Sequence, residues 1–288
     1  MSEPAELELQ LPHQRLAARG WGDPALPRLL ALHGWLDNAA SFDRLAPLLC
    51  GHFHIVALDL PGHGRSGHRP AGTWYHYIDY LGDVLAAAAA LGWERFGLLG
   101  HSLGGTVASV LAAVAPERVE RLLLIEALGP LAGDPAQALA QLQRALHQRG
   151  ALQEKNLRVF ADTDEAAQAR VRANDLTMEA ARVLVSRSLK AVDGGFVWSS
   201  DPRLTLASPQ RYTEEQVLAL IEGIRAPTQL ILADPPPSFL PKALIDARIA
   251  RVPGIEVVRL PGHHHLHLED PAPVARAILD FTARAGSA

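Results

Sequence analysis

The segment "LLGHSLGGTVAS", residues 98–109, constrains this chain more than any other. An apolar run meets a small-residue helical run, and Gly100, Ser102 and Gly104 form Gly-x-Ser-x-Gly at the junction. In that strand-to-helix context the pattern is a nucleophile elbow: a sharp turn that holds serine in a strained conformation, its hydroxyl presented at the helix N-terminus. The glycines let strand and helix approach closely. A turn of this kind requires a buried strand before it and a packed helix after it, which asks for an α/β architecture.

The remainder of the chain supplies that rhythm. "LELQL" and "HQRLAAR" read as an opening hairpin, and "RLLALHG" and "FHIVALDL" as buried strands flanking the helically spaced "NAASFDRLAPLL". After a Gly-rich loop come a helix in "YIDYLGDVLAAAAALGW", a strand in "RFGLLG", the helix after the elbow, and a strand in "VERLLLIEA". Strand alternating with helix predicts a mostly parallel sheet with helices on both faces. From about Leu131 to Ile224 the pattern changes to amphipathic, Arg- and Gln-rich helical segments without an obvious strand, one of them opened by Asp134 as N-cap and Pro135 at the first helical position. The α/β rhythm resumes with "PTQLILA", "PKALIDARIA", "IEVVRL" and "PAPVARAILDFTARA". The expected organisation is a core of residues 1–130 and 225–288 with an inserted helical cap at 131–224. At 288 residues and 48% hydrophobic, the chain has ample material for such a core.

A serine hydroxyl needs a histidine base within hydrogen-bond reach. "RLPGHHHLHLEDP" crowds His263, His264, His265 and His267 into one loop after the last strand, where a base, a solvated polar loop or metal ligands all compete. A metal site needs further acidic or cysteine ligands at suitable spacing, and none is evident nearby, so neither metal nor cofactor is expected. A carbonyl under attack also needs backbone N–H donors for its oxyanion. "LHGW" ends one strand in a glycine turn, offering the amide of Trp35, and Leu103 follows the nucleophile. The Trp35 ring itself reads as lining. A third feature is Glu126, a carboxylate at the end of the apolar run "LLLIEALGP". Charged side chains are almost never buried unless paired, so Glu126 requires a partner.

Taken together, "HGWLDNAASFDRLAPLL", "ALDLPGHGRS", "LLGHSLGG", "WSSDPRL" and "PGHHHLHLEDP" resemble the α/β-hydrolase superfamily and, within it, the serine hydrolase-like proteins and their bacterial relatives. The resemblance covers most of the chain in the expected order. It implies the α/β-hydrolase fold with a helical cap, and hydrolysis without a cofactor. In such relatives the base is followed three residues on by a second histidine, then Leu-Glu and a proline, which singles out His264 and leaves His265 as runner-up. The resemblance also places the triad acid after "PTQLILA", but here Asp234 follows Ala233 directly and Pro236 occupies the expected position. Some members of the superfamily take the acid from the end of the preceding strand, where Glu126 stands. Both acids remain candidates, Glu126 first and Asp234 second. The implied activity is carboxylic ester hydrolysis through an acyl-serine intermediate. Thioester, lactone or carbon–carbon hydrolysis on the same triad, or a non-catalytic binding role, are the alternatives. Serine at the elbow argues against haloalkane dehalogenases and epoxide hydrolases, which place Asp there.

Arg65 and Ser66 are expected to brace their loop, while Phe160, Phe196 and Trp198 read as core residues more readily than as pocket lining. The partner expected is a small-molecule acyl substrate. A net charge of −4 without a basic stripe argues against nucleic acid. The longest apolar run, Val84 to Leu91, is far short of the roughly 20 residues that span a bilayer. A start without a basic-then-apolar pattern, and Cys50 as the single cysteine, suggest a cytoplasmic location. The oligomeric state is left open, a homodimer included.

Overall fold

The computed structural model describes residues 3–152, 158–174 and 176–285. Eight strands form one sheet: β1 (Ala5–Gln10), β2 (Arg15–Trp21), β3 (Arg28–Leu32), β4 (His54–Leu58), β5 (Phe96–His101), β6 (Val119–Ile125), β9 (Thr228–Asp234) and β10 (Glu256–Pro261). The two missing numbers belong to a separate hairpin, β7 (Leu189–Val192) and β8 (Gly195–Trp198). The sheet order is β1-β2-β4-β3-β5-β6-β9-β10. β1, β2 and β4 pair antiparallel, and every pairing from β4 through β3 to β10 is parallel. This is the doubly wound architecture that the alternation predicted.

Its strands are apolar for a physical reason. Both faces of β3, β4, β5 and β6 are covered, so Leu29 to Leu32, Ile55 to Leu58 and Leu122 to Ile125 are all buried. One face packs with the helices at 79–90 and 103–114 into a large cluster, and the other with the residues around Phe42 and the C-terminal helix 271–285 into a second. The chain leaves β3 to one side for β4 and crosses to the other side for β5. The order therefore reverses beside β3, and the carboxyl ends of β3 and β5 frame the crevice where open α/β sheets bind ligands.

Between β6 and β9 the chain forms helices at 138–152, 163–174, 178–185 and 214–221 and the β7–β8 hairpin. Asp134 accepts from the Ala136 amide and caps the turn into the first of these, with Pro135 at its first position. Phe160, Leu176, Ala180, Leu184 and neighbours form a third cluster that reaches the core through Leu268. The hairpin is where the sequence reading fell short. Its strands have four residues each, too few for alternation to register, yet they are joined by Asp193-Gly194, a two-residue connection that suits the tight turn of a hairpin. Phe160 pairs with Phe196 through two 2.8 Å backbone hydrogen bonds and packs edge-on against Trp198 at 5.0 Å, so that Phe160 is buried in the core of the inserted segment with the half-buried Phe196 and Trp198 beside it. No helix among the described residues is long and apolar enough to cross a membrane.

Candidate active site

Ser102 joins β5 to the helix 103–114 with φ +51° and ψ −111°, a conformation that a non-glycine residue adopts only when its surroundings impose it. Those surroundings are visible. The Ser102 amide donates to the carbonyl of Ile125 at 3.0 Å, and its own carbonyl accepts from the Thr106 amide at 2.9 Å. A Cβ on Gly100 would lie 2.5 Å from the Gly104 carbonyl oxygen, and one on Gly104 would lie 2.0 Å from that of Leu32, so helix and strands meet at distances that only glycine permits. Leu103 is the first residue of the helix, and its N–H has no acceptor within it.

The turn after β3 locks onto the same helix. The Gly104 amide donates to the His33 carbonyl at 3.0 Å. The Leu60 amide donates to His33 Nε2 at 3.0 Å, so the His33 proton resides on Nδ1, 2.7 Å from the Gly34 oxygen it serves. His33 is fully buried, and burial lowers its pKa, which keeps the ring neutral as this pattern requires. Trp35 is half exposed, its indole N–H donating to the Leu204 carbonyl at 2.9 Å.

Glu126 follows β6 immediately and also has a positive φ, +58°. Its amide donates to the Ile231 carbonyl at 2.9 Å, and its Oε1 accepts from the Ala233 amide at 2.5 Å, so β9 holds it from both ends. Its Oε2 accepts from His264 Nδ1 at 3.2 Å. The buried carboxylate thus has the partner that its burial demanded. With Nδ1–H turned to Glu126, the lone pair of His264 is on Nε2. Burial lowers the His264 pKa and Glu126 only partly offsets this, leaving it below the ordinary histidine range. The His264 ring lies 4.9 Å from Phe239, edge to face at 90°, and its carbonyl accepts from His101 Nε2 at 2.9 Å. Asp234, the alternative acid, is exposed at the end of β9. The structure therefore brings Glu126, and not Asp234, to His264.

The other loop histidines separate clearly. His263 is exposed, and His267 is buried with Nε2 2.8 Å from Ser41 Oγ. His265 Nε2 lies 3.2 Å from Asp37 Oδ2, while Asp37 Oδ1 accepts from Arg170. Burial alone would raise the Asp37 pKa, but His265 and Arg170 outweigh it and hold the group well below the usual carboxylate range. Asp37, His101 and His265 offer three ligand atoms within 4.8 Å of one another, an acidic partner for the histidines that sequence spacing did not disclose. The guanidinium of Arg170 already supplies the cation there, and a metal ion would have to displace it from Asp37. His101 and Asp37 carried a faint sequence signal, since one precedes Ser102 and the other closes the turn containing Trp35. Arg170 carried none, being separated from Asp37 by 133 residues.

The sequence profile of the alpha/beta hydrolase fold matches residues 27–271. The chain is 33% identical to a serine hydrolase-like protein of Danio rerio over 289 aligned residues, covering 96% of this chain and 88% of that protein. A crystal structure of a hypothetical protein from Pseudomonas aeruginosa PAO1 superposes with a TM-score of 0.90 at 44% identity, covering 98% of this chain and all of that one. A thioesterase domain from the curacin biosynthetic pathway superposes with a TM-score of 0.83 at 28% identity, covering 96% of this chain and all of that domain. With the elbow, the sheet order and these likenesses in agreement, the chain belongs to the alpha/beta hydrolase fold family and is a hydrolase.

Proposed function

We propose that this hydrolase cleaves carboxylic esters of small or medium acyl groups through an acyl-serine intermediate. The observation that carries the reading is the pairing of His264 Nδ1 with the buried Glu126, beside an elbow that holds Ser102 at positive φ. Ser102 Oγ attacks the acyl carbonyl carbon and its proton passes to His264 Nε2. The charged imidazole is stabilised by Glu126, and the negative carbonyl oxygen by the amides of Trp35 and Leu103. The carbon–oxygen bond to the alcohol then breaks, and the alcohol leaves with the proton from His264. Water adds to the acyl-enzyme with His264 again as base, releasing the acid and restoring Ser102. No step calls for a metal or cofactor, and the segment 131–224 serves as a cap over the acyl group.

The test is labelling with a fluorophosphonate, followed by peptide mass spectrometry. Rapid modification of Ser102 that disappears in His264→Ala is expected, together with turnover of p-nitrophenyl esters. Folded protein that resists labelling at high pH and long exposure would point instead to a non-catalytic binding protein. A second reading, thioester hydrolysis on the same residues, is favoured by the likeness to the thioesterase domain. Parallel assay of matched oxygen esters and thioesters separates the two.

A further inference from the structure

The turn that carries the Trp35 amide is tied to the inserted segment residue by residue. The Trp35 indole N–H donates to Leu204 O at 2.9 Å. Asp37 accepts from Arg170, and Asn38 Nδ2 donates to Leu184 O at 2.9 Å and Ser188 Oγ at 2.8 Å. Leu204, Arg170, Leu184 and Ser188 all lie between β6 and β9. Asp59 extends the pattern: its Oδ1 accepts from the Ala39 amide at 2.7 Å, and both its oxygens accept from Arg187 Nε of the same segment.

The turn needs such support. Its closing hydrogen bond runs from the Asp37 amide to the Gly34 carbonyl at 3.1 Å, and Leu36, third of the four residues, has φ +60°. Turns of this shape place glycine there, because a side chain is strained at positive φ. A leucine held in this conformation relaxes unless neighbouring contacts over-determine it. Relaxation would rotate the peptide planes on either side of Leu36 and carry the neighbouring Trp35 amide out of line. Gly34 adds a second constraint, since a Cβ there would come within 2.9 Å of both Asp37 Oδ2 and His101 Nδ1. Asp37 is thereby packed against the histidine that precedes the nucleophile.

We infer that Arg170 is a positioning residue for the oxyanion-binding turn: acting through Asp37, it holds the strained Gly34–Asp37 turn, so that docking of the inserted segment assembles the oxyanion site. The inference rests on the assignment of Ser102 and the Trp35 amide proposed above. Arg170 touches no reacting atom. Its effect falls on the transition state, in which the oxyanion develops, and little on ground-state binding.

The experiment uses the full-length chain and normalises turnover to the sites titrated by a fluorophosphonate, so that misfolded protein drops out. Arg170→Gln is expected to lower kcat for a p-nitrophenyl ester about 10- to 100-fold per titrated site, up to the roughly 100-fold loss that misplacement of a catalytic group brings. KM should stay within about threefold, and affinity for an alkylboronic acid, which mimics the tetrahedral adduct, should fall in parallel with kcat. Arg170→Lys keeps the charge and should recover part of the loss. Leu36→Gly in the Arg170→Gln background should also recover activity, because glycine holds the turn without strain. Trp35→Phe removes a tie at an exposed position that can fold without it, and should show a smaller loss of the same kind.

Unchanged kcat per titrated site in Arg170→Gln, or a KM rise with boronate affinity untouched, would overturn the inference and leave a merely structural salt bridge. If Arg170→Gln yields no folded protein, an unchanged kcat in Trp35→Phe overturns it instead. If the wild-type chain is neither labelled at Ser102 nor turns over esters, the underlying assignment fails first, and that result is distinguishable from the others.

Discussion

Two neighbouring histidines, each 3.2 Å from its own buried carboxylate, sit in the same loop with opposite surroundings. His264 pairs with Glu126 and keeps 20% of its side chain exposed, whereas His265 pairs with Asp37 and keeps 5%. Glu126 gives its second oxygen to a neutral backbone amide, while Asp37 gives its second oxygen to the cation Arg170. A histidine–carboxylate pair alone therefore does not define a catalytic dyad. The first pair leaves one ring nitrogen accessible and a carboxylate whose charge is free to compensate an imidazolium as it forms. The second is buried and its carboxylate is already neutralised, which suits a tie that positions the neighbouring turn and takes no part in proton transfer.

Substitution breaks this comparison most sharply at Ser102, the proposed nucleophile. Ser102→Ala is expected to lower kcat for esters by about 10^5- to 10^6-fold, and His264→Ala by a similar factor, since members of such a unit fail together. Steady-state assay of matched preparations checks both. Glu126→Gln should cost about 10^3- to 10^4-fold in kcat, because the amide no longer stabilises the charged imidazole. Asp37→Asn should act chiefly on the fold, with only the roughly 10- to 100-fold loss of kcat expected when the Arg170 tie to the Gly34–Asp37 turn is broken. It leaves Arg170 buried without its counter-charge, and breaking a buried pair in this way costs about 3–5 kcal/mol, which urea denaturation would read directly. Equal kinetic losses in Glu126→Gln and Asp37→Asn, with unchanged stability in both, would abolish the distinction.

The part of this contrast that the sequence disclosed has a physical boundary. The elbow was legible because local sterics dictate glycine at 100 and 104 on the two sides of Ser102, and the sheet was legible because strands covered on both faces must be apolar. Glu126 stood out for the same reason, as a charge at the end of a buried run. The spacing of His264, His267 and Pro271 identified one histidine, and only by resemblance. Arg170 remained hidden, and Asp37 and His101 nearly so, because their roles arise from contacts across 64 to 228 residues of chain, which no periodicity encodes. The β7–β8 hairpin escaped because it is brief.

Acid acts on His264 and on the fully buried histidines through different observables. For His264, the low-pH limb of kcat/KM should titrate below the ordinary value of about 6.5, as its lowered pKa requires. Glu126→Gln removes the partner that raises that pKa, so the limb should move to still lower pH even as the rate falls. For the buried His33, His63, His101 and His267, burial depresses each pKa, and His63 falls to about 3. Between the folded and unfolded values the unfolded chain binds the extra protons. Stability is therefore full above about pH 6.5 and is lost as pH falls, by up to about 1.4 kcal/mol per pH unit for each histidine. Urea midpoints at pH 7.5 and 5.5 should differ in that direction, and a midpoint independent of pH would contradict the neutral, buried state of these rings.

The smallest expected effect belongs to the other carboxylate. Asp234 ends β9 one strand away from Glu126, two residues before Pro236, which occupies the position where the family resemblance placed the acid. It is exposed, and the His264 nitrogen that a triad acid would hold is already occupied by Glu126. A carboxylate in water forms a weak and screened interaction with a partly buried ring, so Asp234→Asn should change kcat by less than about twofold. The informative version pairs it with the stronger variant. If Asp234 substituted for Glu126 whenever the latter were lost, Asp234→Asn would matter only in the Glu126→Gln background, and the double variant would fall well below the single. If Glu126 alone orients the base, the two substitutions combine without coupling, because the sites share no partner. Coupling above about tenfold would mean that β9 retains a second route to His264, and that the two strand ends are alternative sources for one function.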